Sequence, residues 1–161
     1  EALHHHLLNL DLGDFDEHSK PPMTDAKLAV QELSMGSIER FYRDWLAGDT
    51  PHPVCACSSR QIYRAYTKWC AACGEKARSQ NHLSGYLHKQ PGWRPEHKDV
   101  FDSTYYSGPP KRTRMVVPED SVLHCAANQD PDKYRKAPDK TEGMWATDCY
   151  FAFQASLGDE N

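Results

Sequence analysis

Residues 58–90, SSRQIYRAYTKWCAACGEKARSQNHLSGYLHKQ, restrict the fold more than any other stretch of the chain. Ile62, Ala65, Tyr66, Trp69, Cys70 and Cys73 recur at helical spacing and form one apolar stripe. Gly74 follows as a helix stop, and Ser79 is placed to cap a second helix that runs to about Lys89. On that second helix Leu83, Tyr86 and Leu87 share one side, while Asn81, Ser84, Gly85 and His88 share the other. Two helices joined by a tight turn are therefore expected here. The second presents a side that is polar, small and uncharged, whereas a plain solvent face is rich in Lys and Glu. Taken alone, that side serves equally as the wet face of a packing helix or as a surface for base edges and phosphates.

Before this unit, Ile38, Phe41, Tyr42, Trp45 and Leu46 follow i, i+3, i+4, i+7, i+8, which predicts an amphipathic helix capped by Ser37 and ended by Gly48. Three aromatics on one stripe make it a core helix. After the unit, Pro91 and Gly92 stop the helical pattern. Val100 and Phe101 read as one strand and Thr113–Val117 as another. Between them STYYSGPPKR supplies a long hairpin tip, with Lys111, Arg112 and Arg114 at the tip and on the returning strand. Helix, helix, helix and basic hairpin is the order of a winged helix-turn-helix, in which the last helix enters the major groove and the wing meets the backbone.

Charge is distributed to match. The net value of −4 by itself argues against a nucleic-acid partner. Yet residues 1–35 carry net −5, residues 36–117 carry seven acids and thirteen bases, net +6, and residues 118–161 carry net −5. A basic middle flanked by acidic ends points to a polyanion at the middle. The expected DNA contacts are Asn81, Ser84 and His88 toward bases, with Ser79 and Gln80 beside them. Arg60, Arg64, Lys68, Arg78 and Lys89 are expected at phosphates around the two helices, and Lys111, Arg112 and Arg114 at phosphates from the wing.

The expected fold class is thus α+β, mainly α: three helices plus a β-hairpin wing over residues 36–117. Residues 1–35 are read as the helical tail of a preceding domain, with helices over 2–10 and from Thr24 to about Leu33, and a start in mid-helix suggests a piece of a longer polypeptide. Residues 118–161 are read as a C-terminal extension. In it NQDPDKYRKAPDKTEG is a mobile loop, and Cys149, Phe151 and Phe153 alternate as in a strand.

Other chemistries find less support. Cys55-x-Cys57 and Cys70-x2-Cys73 offer the four thiols of a structural zinc site. However, the first pair has one intervening residue and the second lies inside an amphipathic helix, where cysteines serve as small apolar side chains. No GxxxxGK[ST], GxSxG, HExxH or paired-carboxylate pattern occurs, so no active site is expected within these residues. The longest apolar run is far too short to span a membrane. Six cysteines without a secretory signal or regular framework indicate a reducing cytosol.

Two runs also carry a family resemblance. ALHHHLLNLDLGDFDEHSKPPMTDAK resembles the segment that follows the ATPase core in phage and prophage primase-helicases of helicase superfamily 3, the group that includes the poxvirus primase-helicase. SIERFYRDWLAG, followed by residues 58–93, resembles their C-terminal winged-helix module, with Tyr63, Tyr66, Trp69, Cys70, Gly74 and Ser79 meeting its pattern. The likeness covers residues 1 to about 117. It implies a DNA-binding module that positions a replicative motor on origin or fork DNA in the cytoplasm of a bacterial host. ATP, magnesium and the primase centre would belong to upstream parts of the parent, and the parent ATPase domain and other helicase subunits would be partners. It also implies that Cys70 is a neighbour of the aromatic core. A protein-docking module is the rival reading, and it expects an exposed apolar surface at Trp145, Tyr150 and Phe153.

Overall fold

A computed structural model describes residues 34–158, together with His4, His5 and Thr24. The chain divides into two compact units, Glu1–Ser34 and Met35–Asn161. The two helices expected in residues 1–35 lie outside the described residues, apart from His4 and His5, which are helical.

The second unit is α+β. Its elements are α1 (Ser37–Leu46), β1 (Cys57–Ser58), α2 (Ser59–Ala72), α3 (Gln80–Leu87), β2 (Trp93–Val100), β3 (Lys111–Pro118), α4 (Asp120–Cys125), a 3-10 turn (Pro131–Lys133) and α5 (Glu142–Leu157). The three strands form one antiparallel sheet in the order β1-β3-β2.

The stripe of α1 lies where its spacing put it. Ile38, Phe41 and Trp45 are buried, with Tyr42 and Leu46 packed at the edge. Trp45 is the hub. Its ring stacks on Trp93 at 5.1 Å and meets the edge of Phe153 at 6.2 Å, and its Nε1–H donates to the carbonyl of His52 at 3.2 Å. The cap differs from expectation. Gly36 is the N-cap and its N–H donates to the Glu39 carboxylate at 3.3 Å, while Ser37 is inside the helix with Oγ 2.7 Å from the Tyr66 hydroxyl. That hydroxyl also accepts the N–H of Arg78 at 3.0 Å, so one buried tyrosine ties α1, α2 and the turn before α3 together.

A reciprocal capping box starts α2: the Gln61 N–H donates to Ser58 Oγ at 3.2 Å, and the Ser58 N–H donates to Gln61 Oε1 at 2.9 Å. Ile62, Ala65, Tyr66 and Cys70 are buried, Trp69 is half-buried, and Cys73 is exposed past the helix end. Gly74 follows at φ +69°, where a side chain would be strained. The α3 helix stops two residues earlier than expected, at Leu87, with Leu83 and Leu87 fully buried.

The hairpin is longer than its apolar residues suggested. β2 begins at Trp93 and pairs residue by residue with β3, from Trp93 opposite Pro118 to Val100 opposite Lys111. Only the inner half of β3, Met115–Pro118, is buried. The outer half has charged side chains on both faces and no period of two to be read.

The largest departure is at the C-terminus. Residues expected to alternate as a strand form α5, a helix capped by Thr141, whose Oγ1 accepts the Met144 N–H at 3.3 Å. Trp145, Ala146, Cys149, Phe153 and Leu157 are buried along it, and it belongs to the same core as α1 and α2. Gln61 on α2 binds it by donating Nε2 to the Tyr150 carbonyl at 2.9 Å. SVLHCAA gives the short α4, and the polar stretch after it contains the 3-10 turn and a tyrosine, Tyr134, whose carbonyl accepts Trp145 Nε1–H at 2.9 Å. Among the described residues no helix is long and apolar enough to cross a membrane.

Candidate nucleic-acid interface

The turn held by Tyr66 sets α3 across the outer half of β3, and the space between them is a groove of about 610 Å³. One wall is the polar side of α3, with Gln80, Asn81, Ser84, Gly85 and His88. The other is β3 from Lys111 to Arg114. The N-terminus of α2 closes one end with Ser58, Ser59 and Arg60, and Tyr150 of α5 completes the lining. Arg60, Lys111, Arg112 and Arg114 supply four cations, and among the described residues no Asp or Glu lines the groove. Small hydroxyl and amide groups lie between them. Such a surface attracts a polyanion and lets its backbone approach closely.

Two buried polar atoms in this lining lack a hydrogen-bond partner, Ser59 Oγ and His88 Nε2. Ser59 is only 8% exposed and is the first residue of α2, whose first turn carries no acidic side chain. It lies at the N-terminal end of α2, where the helix dipole favours negative charge. The His88 imidazole is held below its ordinary pKa by burial and then by the charge of Arg114. It is therefore neutral at neutral pH.

Of the residues expected at DNA, Arg60, Gln80, Asn81, Ser84, His88, Lys111, Arg112 and Arg114 converge on the groove. Arg78 and Lys89 do not. They line a shallower depression on the other flank of α3 with Glu39 and His82, and Asn81 is shared between the two. Ser79 Oγ is engaged with His82 Nδ1 at 2.8 Å. Arg64 lies one turn further along α2, outside the lining. Lys68 also lies outside the lining: its Nζ donates to the Leu157 carbonyl at the C-terminal end of α5.

Ser59, Thr113 and Tyr150 are not legible from the sequence as lining residues. The capping-box pattern at Ser58 and Gln61 is the available signal for Ser59, since it fixes which serine is the cap and which lies inside the helix. Tyr150 has none, because the spacing of its helix also reads as a strand.

The rival expectations fare differently. Cys55, Cys57 and Cys70 are buried and Cys73 is exposed; among the described residues no group of three or more His, Cys, Asp or Glu side chains is arranged to hold a metal. Cys55 instead points its thiol at the Cys149 carbonyl, 3.7 Å away, in the core. The apolar docking surface expected at Trp145, Tyr150 and Phe153 is not a surface. Trp145 is 8% exposed, Phe153 is fully buried and Tyr150 is half-buried. No protein-family model matches this chain, and no curated protein or solved structure is significantly similar to it.

Proposed function

We propose that residues 36–117, completed by α5, are a DNA-binding winged helix in which α3 is the recognition helix and the β2–β3 hairpin is the wing. The observation that carries this reading is the convergence of the polar side of α3, the N-terminus of α2 and the basic half of β3 on one groove that no carboxylate lines among the described residues. The element order and the strand order β1-β3-β2 are compatible with it. Asn81 and Ser84 address base edges, while Arg60, Lys111, Arg112 and Arg114 address phosphates. In the parent implied by the sequence resemblance, a phage-type primase-helicase, the module holds origin or fork DNA and positions the ATP-driven motor. The chain performs no catalytic step in this reading.

Binding to short duplexes at several salt concentrations tests it. Four groove cations give a log–log salt slope of about −3 to −4, because each phosphate contact releases condensed counterion. A slope near zero sinks the proposal.

A further inference from the structure

The loop at the end of the hairpin, residues 101–110, carries the one large hydrophobic side chain that is exposed among the described residues, Tyr105, at 89%. Its neighbours are anchored. The Tyr106 N–H donates to the Ser103 carbonyl at 3.1 Å, closing a turn with Tyr105 on its crest, and the Ser103 and Ser107 hydroxyls meet at 3.1 Å. Tyr106 itself sits at φ +53°, a left-handed conformation that is uncommon for a tyrosine. It is held there because its hydroxyl donates to Asp148 at 2.6 Å and its ring meets the edge of Phe101 at 6.1 Å. Phe101 is fixed in turn by its N–H, which donates to Thr147 Oγ1 at 2.9 Å. The body of the domain thus grips the loop on both sides of Tyr105 and leaves that ring outside.

An aromatic ring has few side-chain torsions to lose, and one carried on an anchored turn stacks with little ordering of the backbone. The next exposed side chains along the returning strand are Lys111 and Arg112, at the end of the basic groove, and Asp99 nearby is already paired with Arg112 at 3.3 Å. We propose that the hairpin tip is a base-stacking site: Tyr105 covers the face of an unpaired or terminal nucleobase where duplex DNA opens, beside the backbone held in the groove. This rests on the DNA-binding reading and adds a ligand to it, the single-strand/double-strand junction. Every base has a π-face, so the contact selects DNA structure and not sequence.

The test uses the 161-residue chain and two DNAs of one duplex sequence. One is a fork with unpaired arms and 2-aminopurine at the junction; the other is a dumbbell whose two ends are closed by non-nucleotide linkers, so that it offers no unpaired base. The fork is expected to bind about tenfold more tightly than the dumbbell, with quenching of the junction 2-aminopurine. Tyr105→Ala is expected to abolish both the preference and the quenching, and Tyr105→Trp to retain them. The ring is exposed, so both variants are expected to melt like the parent chain. Equal affinity of the parent chain for fork and dumbbell, with the salt slope intact, overturns the stacking site and leaves the groove reading standing. So does a fork preference that survives Tyr105→Ala. Binding to neither DNA overturns the groove reading, and the stacking site with it.

Discussion

Two grooves border the β2–β3 hairpin, and they differ in charge more than in size. The first, against α3, is lined by four cations and, among the described residues, no carboxylate; one of the four, Arg112, pairs with Asp99 beside the groove at 3.3 Å. The second, about 670 Å³, lies between β2, α4 and the start of α5, and its lining has four cations, Arg94, Lys98, Arg135 and Lys136, and four acids, Glu96, Glu119, Asp120 and Glu142. The second neutralises itself. Lys98 Nζ sits 2.6 Å from Glu96 and 2.8 Å from Glu142, Arg135 is 3.3 Å from Asp120, and Arg94 is 3.4 Å from Glu119. Lys98 also lies over the Trp145 ring, 5.8 Å from its centre. A larger concavity with satisfied charges has no electrostatic reason to attract a polyanion. A smaller one with an excess of positive charge does, so charge and not size separates the two sides of the hairpin.

The largest effect should come from reversing charge on the two sides. Lys111→Glu with Arg114→Glu removes two phosphate contacts and adds repulsion, and is expected to weaken duplex binding by about 100-fold or more and to reduce the salt slope by about 2. Arg94→Glu with Arg135→Glu in the second groove makes the same change in net charge and is expected to alter binding far less, by about threefold at most through the long-range field. Titrations of both double variants against one duplex make the comparison. Equal losses would mean that net charge, and not the α3–β3 groove, governs binding.

Within the first groove, α3 and β3 should behave differently. Asn81→Ala is expected to cost about 1–3 kcal/mol on a preferred sequence and little on others, since an amide that reads a base edge discriminates between bases. Lys111→Ala should weaken all sequences alike. Binding to a randomised duplex pool, sequenced before and after selection, separates the two. If Asn81→Ala leaves the selected sequences unchanged, α3 lies along the backbone without reading bases.

The difference between the grooves also explains what is legible in the sequence. The first groove is built from elements with a period. The α2 and α3 stripes fix which side of α3 faces out, and the Gly108-Pro109-Pro110 tip places the basic residues on β3, so eight of its lining residues follow from spacing. The second is invisible in the sequence, because β2 alternates charges of both signs and α5 carries apolar residues nearly all round. In MWATDCYFAFQASL a period of two and a period of 3.6 are both satisfied, and the choice falls to tertiary packing, where Phe153 must reach Trp45. Lys68 is hard to read for a related reason. A lysine on a helix flank looks like a free cation until the neighbouring helix end that it caps is known.

A smaller prediction tests whether the second groove is structural. Lys98→Met removes the ammonium that lies over Trp145 and leaves Glu96 and Glu142 without their shared partner, and is expected to lower stability by about 1 kcal/mol. Thermal melts in low and high salt should show the loss shrinking as salt screens the repulsion between the two carboxylates. DNA binding should not change.

The smallest effects are in pH, and they have opposite signs for stability and for binding. Burial, and then Arg114, hold His88 below its ordinary value, and burial, and then Lys68, do the same for His52. The unfolded chain therefore takes up protons first, and stability from these groups is full above about pH 6.5 and declines as pH falls through their folded values. Glu142 in the second groove is held low by its hydrogen bond from Lys98, which outweighs burial. Its contribution is intact until about pH 4.3 and is lost below it, toward its depressed value. Melting temperature should thus fall in two stages on acidification, and His88→Gln should reduce the first without touching the second. DNA reverses the sign at His88 alone. Phosphate beside the ring offsets Arg114 and favours the imidazolium, so binding takes up a proton and affinity rises between pH 8 and pH 6, by about tenfold at most. His88→Gln should flatten that rise. If affinity instead falls with stability as pH is lowered, His88 is packed away from the bound backbone and the wall of the groove at that point is not a contact.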